Sequence, residues 1–450
     1  MKRGDIQRVQ IERLTPKGLG YAKIEGRAIE VKGALPGDVI DVCIRSIRRH
    51  KARVHLERFI EKAVERIPAE CIHFGQCGGC IWQNVPYSKQ CRLKTVMVKS
   101  ALGSIPGIDP VEDIEFFPSP DTFFYRNKME FSFDCPPNED VHIKLGLHVA
   151  GRYDSVFDLE RCHLQSELSN LIVQVTREFA QKHNLSAYGL KSHEGLLRFL
   201  VVRDGKKTGD LMVNIVTSGE DFDTAGQFAE LLTDNIPEIS TVIRCINYGM
   251  GSVVTGDERE ILSGDGFITD RIGEKIFTIS PDSFFQTNTM QAKNLYDTIR
   301  SFCRLDGSQN LFDLYCGTGT IGLYCAQDAA SVTGIELVED AVTDARRNAK
   351  LNGISNCTFI SGNVEKILDE SMDAFDVVIC DPPRAGIHPR AMDQLVRIRI
   401  PRMVYVSCNI KALPGDLEIL AMAGYKIRQV RAFDMSPHTP HIETVLLLEI

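Results

Sequence analysis

Three stretches in the C-terminal half of the chain place reactive side chains beside short apolar runs. In Met403-Val-Tyr-Val-Ser-Cys408-Asn409 the run reads as a buried strand that delivers a thiol to its carboxyl end. A second run, Phe375-Asp-Val-Val-Ile-Cys-Asp381-Pro382-Pro383-Arg384, ends in a carboxylate and two prolines. The third, Phe433-Asp-Met-Ser-Pro437-His438-Thr-Pro440-His441-Ile-Glu443-Thr-Val445, is a stiff turn that presents a glutamate just before a final apolar strand. A deprotonated thiol is a nucleophile, and a carboxylate can collect a proton from the atom that the thiol has activated. In open α/β sheets such groups gather at the carboxyl ends of the strands. A free cysteine is more often a small buried hydrophobe. The company of two carboxylates makes Cys408 a candidate nucleophile and Glu443 a candidate general base.

The elements that must hold these groups are legible upstream. Asn310-Leu-Phe-Asp313-Leu-Tyr315-Cys-Gly317-Thr-Gly319-Thr320 is a strand running into a Gly-rich turn and a helix, with Gly334-Ile335-Glu336 closing the next strand. Glycines there let the backbone approach a ligand, and the helix offers its amino end. Glu336 is placed to accept from a ribose hydroxyl. A dinucleotide dehydrogenase fits these facts too, but a third glycine is missing where Gly319-Thr-Ile-Gly322 runs on. Asp381-Pro-Pro-Arg384 is not a dehydrogenase feature; it resembles the fourth-strand motif of S-adenosylmethionine methyltransferases, so that cofactor is preferred. From about Phe277 strands and helices alternate, which predicts a mainly parallel, doubly wound sheet with helices on both faces.

A separate cluster of thiols lies nearer the N-terminus, in Cys71-Ile-His-Phe-Gly-Gln-Cys77-Gly-Gly-Cys80. Three cysteines in ten residues, with glycines between, signal a metal site that still needs a fourth ligand. Cys91, Cys135 and Cys162 are the alternatives, and thiolates serve zinc and iron alike. A purely structural zinc knot is the competing reading.

Composition sets the limits. At 450 residues the chain has room for two or three domains. A hydrophobic share of 43% with 25% charged residues suits a globular protein. No apolar run reaches membrane-spanning length, and no secretory leader is visible. Fourteen cysteines in such a chain argue for a reducing, cytoplasmic setting. The net charge of −8 hides an asymmetry: residues 1–62 hold fifteen Lys/Arg and eight Asp/Glu, a net of +7 on an otherwise acidic body. Alternation over Ile6–Leu14 and Ile40–Ile44, with turns at Pro16-Lys-Gly18 and Pro36-Gly37-Asp38, predicts a small β-barrel. Arg45, Arg48, Arg49, Lys51 and Arg53 crowd near its end. Gly18-Leu-Gly-Tyr21-Ala22, Ala28 to Val31 and Ala34-Leu-Pro-Gly37 resemble the TRAM module, an OB-like RNA-binding barrel that would track a phosphate backbone. A charged helical link is expected over 56–66, and an α+β region over 120–270.

Asp-Pro-Pro-aromatic suits methylation of exocyclic amines; Arg384 in the fourth position, with Cys408 and Glu443, suits methylation at carbon. C5 of uracil is a poor nucleophile until a thiolate adds at C6, after which a base must remove the C5 proton. Together Ser283-Phe-Phe-Gln286-Thr-Asn288, the Asp313–Gly319 and Gly334–Glu336 segments, Asp381-Pro-Pro-Arg384-Ala-Gly386, Ser407-Cys408-Asn409 and the Pro437–Val445 segment resemble the RNA 5-methyluridine methyltransferase family. With the barrel and cysteine motif, the likeness narrows to bacterial members that methylate 23S ribosomal RNA and carry a 4Fe-4S cluster. The resemblance implies Cys408 as nucleophile and Glu443 as base. It implies S-adenosylmethionine held by Gln286, Tyr315, Glu336 and Asp381, with Asn363 and Thr320 added, and the cluster on Cys71, Cys77, Cys80 and Cys162. Ile410 departs from the proline that usually follows Ser-Cys-Asn in the family, which bears on rate or substrate preference. Cytosine-5 enzymes use a cysteine after the fourth-strand proline, whereas Cys380 precedes Asp381. The expected architecture is a TRAM barrel over 1–60, a cluster-bearing α+β domain over 61–270 and a Rossmann-like methyltransferase domain over 271–450, with the helix near 84–117 packing on the last. The expected partner is RNA, 23S ribosomal RNA first and a transfer RNA T loop second, engaged by a monomer away from membranes. A non-catalytic iron–sulfur RNA-binding protein is the alternative from another class.

Overall fold

Period-two patterning over the first sixty residues produces six strands: β1 (Ile6–Gln10), β2 (Arg13–Leu14), β3 (Gly20–Ile24), β4 (Arg27–Val31), β5 (Val39–Ile47) and β6 (Ala52–Glu61). They form two three-stranded antiparallel sheets, β1-β5-β6 and β2-β3-β4, around Ile11, Ala22, Ile29, Ile40 and Val42. The helical link expected over 56–66 is not there: β6 continues through Leu56 and Phe59, opposite Val42 and Ile40 of β5. Pairing with β5 satisfies that backbone and packs both side chains on the barrel core, which outweighs the charged residues' helical preference. The computed structural model describes residues 1–106, 108, 111, 113–135, 143–368 and 375–450.

Next come α1 (Tyr87–Leu102), β7 (Glu115–Phe117), β8 (Lys128–Asp134), β9 (Lys144–His148), β10 (Val156–Asp158), α2 (Glu167–Lys182), β11 (Leu197–Asp204), β12 (Leu211–Thr217), α3 (Ala225–Asn235), β13 (Ile239–Ile246) and β14 (Glu258–Ser263). Seven of these strands make one sheet in the order β10-β9-β8-β11-β12-β13-β14. The apolar stripes of α2 and α3, with Ile172, Phe179, Phe228 and Leu232, cover it. The Ser166 hydroxyl caps α2 by accepting from the Ser169 N–H at 3.3 Å.

The last third contains β15 (Ile268–Ile272), β16 (Lys275–Ile279), α4 (Thr289–Cys303), β17 (Asn310–Leu314), α5 (Thr320–Cys325), β18 (Ser331–Glu336), α6 (Glu339–Leu351), β19 (Cys357–Ser361), α7 (Val364–Ile367), β20 (Val377–Cys380), α8 (Pro389–Ile398), β21 (Arg402–Ser407), α9 (Leu413–Met422), β22 (Lys426–Phe433) and β23 (Glu443–Glu449). The doubly wound sheet runs β19-β18-β17-β20-β21-β23-β22-β7. Its first five members are parallel, and β23 enters antiparallel beside β21. That inversion matters. It brings the amino end of β23 to the edge where β17, β18, β20 and β21 deliver their carboxyl ends. Apolar layers fill both faces, with Ile299, Phe302 and Leu447 on one and Phe312, Tyr405 and Leu446 on the other. β7 pairs with β22, and Met97, Val98 and Leu102 of α1 join the second layer, so both elements pack with the C-terminal sheet. No helix among the described residues is long and apolar enough to cross a membrane.

Candidate active site

Strand register assembles the reactive groups. Ser407 of β21 faces Thr444 of β23, so the next pair outward is Cys408 and Glu443. Cys380 of β20 faces Tyr405 of β21, and Asp381 follows it at the same edge. Three neighbouring strands thus release a thiol and two carboxyls together. Glu443 is buried at 8% exposure, while Cys408 and Asp381 are half-buried. The turn after Cys408 is tied down: the Asn409 side-chain amide donates to the Arg384 carbonyl at 2.6 Å, and the Asn409 carbonyl accepts from the Ala412 N–H at 3.0 Å. Beneath it the Tyr405 hydroxyl and the Ile387 N–H both donate to Asp416, at 2.6 and 2.9 Å. Ile410 packs part-buried against the adjacent apolar layer.

Electrostatics at this edge are strained by like charge. Burial, then the Glu443 and Asp381 carboxylates, push the Cys408 thiol up to about 12, with Arg384 opposing. Glu443 is raised well above the usual carboxyl range by burial first and then by Asp381, again opposed by Arg384. Asp381 is also raised, by burial. Two carboxyls this close resist being charged together, so they titrate as a pair. Arg384 is the cation that partly offsets the two carboxyls there.

The cradle lies beside them. Tyr315 holds φ +62°, a backbone that side-chain-bearing residues avoid, at the point where β17 turns toward Gly317. Gly317 N–H donates to Glu336 Oε2 at 3.1 Å and Val338 N–H to its Oε1 at 2.9 Å, which fixes that carboxylate at the carboxyl end of β18. Gly319 has φ +76°, and a Cβ there would sit 2.8 Å from the Phe359 ring. A Cβ on Gly317 would meet nothing within 4 Å, so the loop opens onto free space. Asn363 follows β19 at the same edge, half-buried. Gln286 is brought in by its loop, whose Phe284 carbonyl accepts from the Thr318 hydroxyl at 3.4 Å. Thr320 is spoken for, its hydroxyl 2.8 Å from the Tyr296 hydroxyl. Open space, a carboxylate fixed at the end of β18 and two carboxyls at the edge fit a nucleoside cofactor bearing a sulfonium.

Two residues escape a reading of the sequence. Asp313 is fully buried, accepts from the Gly322 N–H at 2.9 Å and so anchors α5 under the Gly-rich turn. Burial first, with Asp381 and Glu336 adding, pushes its carboxyl up to about 7. It stands inside the Gly-rich motif, and its position before the glycines is the available signal. Asn127, buried, donates from its side chain to the Gln286 carbonyl at 2.7 Å and the Thr289 hydroxyl at 2.9 Å. Nothing local in Arg126-Asn127-Lys128 announces that.

The four cysteines expected to act together lie around a single cavity. Cys71, Cys77, Cys80 and Cys162 line one cavity of about 660 Å³. Of the three alternatives for the fourth thiol, Cys91 sits on α1 and Cys135 is exposed after β8; neither lines this cavity. Cys162 is held in place by Asn170, whose Oδ1 accepts from its N–H at 2.8 Å and whose Nδ2 donates to its carbonyl at 3.1 Å. Burial pushes the Cys80 thiol up to about 12 and Cys162 to about 11, with the neighbouring thiols adding. His73 lines the cavity too, but its Nε2 accepts from the Glu160 N–H at 3.1 Å. Among the described residues no three His, Cys, Asp or Glu side chains are close enough to hold a single ion. The four thiols share that cavity, and thiolates serve zinc and iron alike.

Comparison with known proteins agrees with this geometry. A family model described as tRNA (Uracil-5-)-methyltransferase matches residues 258–450, and a TRAM domain model matches residues 1–55. The chain is 37% identical over 454 residues to an uncharacterized RNA methyltransferase of Caldanaerobacter subterraneus subsp. tengcongensis, with 100% of both chains covered. It is 37% identical over 468 residues to an uncharacterized RNA methyltransferase of Chlorobaculum tepidum, covering 100% of this chain and 97% of that one. Its fold is similar to the Pyrococcus abyssi tRNA (uracil-54, C5)-methyltransferase solved with S-adenosyl-L-homocysteine. That match has a TM-score of 0.77 at 29% identity, covering 98% of this chain and 100% of the other.

Proposed function

The chain belongs to the S-adenosylmethionine-dependent RNA (uracil-5-)-methyltransferase family, and from that premise we propose that it methylates C5 of a uridine in 23S ribosomal RNA through a covalent bond between Cys408 and C6. The observation that carries this reading is the register of β21 against β23, which sets Cys408 and Glu443 side by side next to the cradle. Bound at that cradle, the cofactor supplies a methyl group on a sulfonium. Glu336, Gln286, Tyr315, Asp381 and Asn363 would hold it, whereas the Thr320 hydroxyl is already paired with that of Tyr296. Cys408 loses its proton to solvent, and its thiolate adds to C6, leaving the electron pair on the C4 carbonyl oxygen as an enolate. The enolate pair returns through C5, which takes the methyl group as the methyl–sulfur bond breaks to leave a neutral thioether. Glu443 then removes the C5 proton, the C5–C6 double bond re-forms, and the Cys408 thiolate departs. Asp381 holds the base edge or the cofactor so that the reacting atoms stay aligned.

The test uses RNA containing 5-fluorouridine. Fluorine at C5 leaves Glu443 no proton to take, so wild-type protein supplied with cofactor should form a denaturation-resistant protein–RNA adduct, absent in Cys408→Ala. No adduct with any uridine-bearing RNA overturns the mechanism.

A second reading of the substrate has one observation in its favour: the Pyrococcus abyssi protein, similar along nearly the whole chain, is described as acting on uracil 54 of tRNA. The ribosomal reading rests on the barrel and cysteine motif together. Mapping 5-methyluridine in ribosomal and transfer RNA from a deletion strain separates the two. On the same reading Cys71, Cys77, Cys80 and Cys162 hold a 4Fe-4S cluster, supported by four thiols around one cavity. Anaerobically purified protein should then contain iron and acid-labile sulfide; stoichiometric zinc without iron overturns the cluster and leaves the methyl transfer standing.

A further inference from the structure

We propose that the Pro437–Pro440 turn couples the loop carrying Cys71, Cys77 and Cys80 to Glu443, with His438 and Gln90 as positioning residues for that carboxyl. This rests on the reading of Glu443 as the base. His438 has φ +65°, a strained backbone for a residue with a side chain. It is over-determined from both ends. Its carbonyl accepts from the N–H groups of Ile81 and Trp82, each at 3.0 Å, immediately after Cys80. Its own N–H donates to Gln90 Oε1 at 2.9 Å, and its Nδ1 lies 3.2 Å from Gln90 Nε2. The same Gln90 amide donates to the carbonyls of Trp82 at 3.0 Å and Val85 at 2.8 Å. One fully buried side chain therefore clasps the cysteine loop and the turn at once.

Other segments converge on the same turn. From the Cys162 side, Arg126 N–H donates to the Leu164 carbonyl at 2.8 Å, and the Tyr125 hydroxyl donates to the Pro437 carbonyl at 3.2 Å. The Phe123 ring stacks on His438 with centroids 4.5 Å apart. From the barrel, Gly18 lies so close that a Cβ there would fall 2.5 Å from Pro440 Cβ and 3.0 Å from the Trp82 ring. Three residues beyond Pro440, with Ile442 buried, the chain becomes Glu443. So short and pinned a segment has no slack to absorb a shift at His438. Any rearrangement of the cysteine loop reaches the carboxyl.

The steps separate experimentally, because addition of Cys408 and methyl transfer do not use Glu443. Single turnovers follow methyl incorporation and release of tritium from 5-tritiated uridine in the same RNA. In wild type the two should keep step. In Gln90→Leu, methyl transfer should stay within about threefold while tritium release slows about tenfold or more, since small misplacement of a catalytic group costs rate steeply. A methylated protein–RNA adduct then accumulates. Cys80→Ser should show the same lag, and where it fails to fold Gln90→Leu decides alone. Equal loss of both signals, the mark of general destabilisation, or no change in either overturns the coupling. Wild type that forms no adduct with 5-fluorouridine RNA overturns the catalytic reading instead, so the two failures are told apart.

Discussion

On the proposed mechanism Cys408 reacts as a thiolate, although burial and the neighbouring carboxyls favour its thiol form. Because burial and the two carboxyls push it up to about 12, its reactive form is scarce at neutral pH. The rate of adduct formation with 5-fluorouridine RNA is therefore expected to rise with pH, by about tenfold per unit while the thiol form dominates. A rapid-quench series from neutral to alkaline pH checks the slope. Arg384 is the cation that opposes those carboxylates at the thiol. Arg384→Ala should lower the addition rate at every pH below the thiol's own titration and displace the profile upward. An unchanged profile means that the guanidinium does not act on the sulfur. Glu443→Gln has the opposite signature. Addition and methyl transfer survive, while proton release falls by about 10²–10⁴-fold, the usual share of a general base, and the methylated adduct persists on denaturing gels.

At the scale of elements, position is maintained by contacts that the order of residues does not display. Lys94 of α1 and Asp434, next to the end of β22, form a fully buried ion pair at 2.6 Å, and Lys94 also donates to the Ser436 carbonyl at 3.1 Å. Lys94→Met would strand a buried carboxylate, a loss of about 3–5 kcal/mol. Lys94→Met with Asp434→Asn should recover part of it, which chemical denaturation of the three proteins would measure. The cradle has its own sensitivity. Gly319→Ala forces a side chain into φ +76° against Phe359 and should cost about 1–3 kcal/mol, with weaker S-adenosylhomocysteine binding by calorimetry. These dependencies explain what is legible in the sequence. β17 to β21 and β23 stand out as apolar runs between turn residues, and their ends name Asp381, Cys408 and Glu443, because sheet edges are a local consequence of strand limits. The second part of β6, from Leu56, reads falsely as a helix, since its charged residues look helical until β5 is there to pair with. Gln90, Lys94 and Asn127 read as ordinary polar residues. Gln90 and Lys94 find their partners 348 and 340 positions away, and Asn127 reaches Gln286 159 positions on. No window of sequence holds both halves of such an interaction.

For the whole molecule, the charge separation visible in the sequence acquires a direction. Arg45, Arg48, Arg49, Lys51 and Arg53 are exposed on and around the turn between β5 and β6, with weak surface pairs from Arg45 to Glu57 and Lys51 to Glu30, at 3.8 and 3.9 Å. Such pairs contribute little and leave the cations available to phosphates. The rest of the chain is net acidic, so on the proposed function the barrel is where a polyanion would be gripped, with the base read at the C-terminal sheet. Arg48→Glu combined with Arg49→Glu should weaken RNA binding for every sequence tested and reduce the salt dependence. Every phosphate no longer neutralised by the barrel lowers the slope of log affinity against log salt by about 0.7 on single-stranded RNA. Cofactor binding should not change, because neither arginine belongs to the cradle formed by the Gly317–Gly319 turn and Glu336. Filter binding across a salt series, paired with calorimetry for S-adenosylhomocysteine, reads both. If affinity falls with no change in slope, the basic turn orders some other part of the protein and the phosphate grip lies elsewhere.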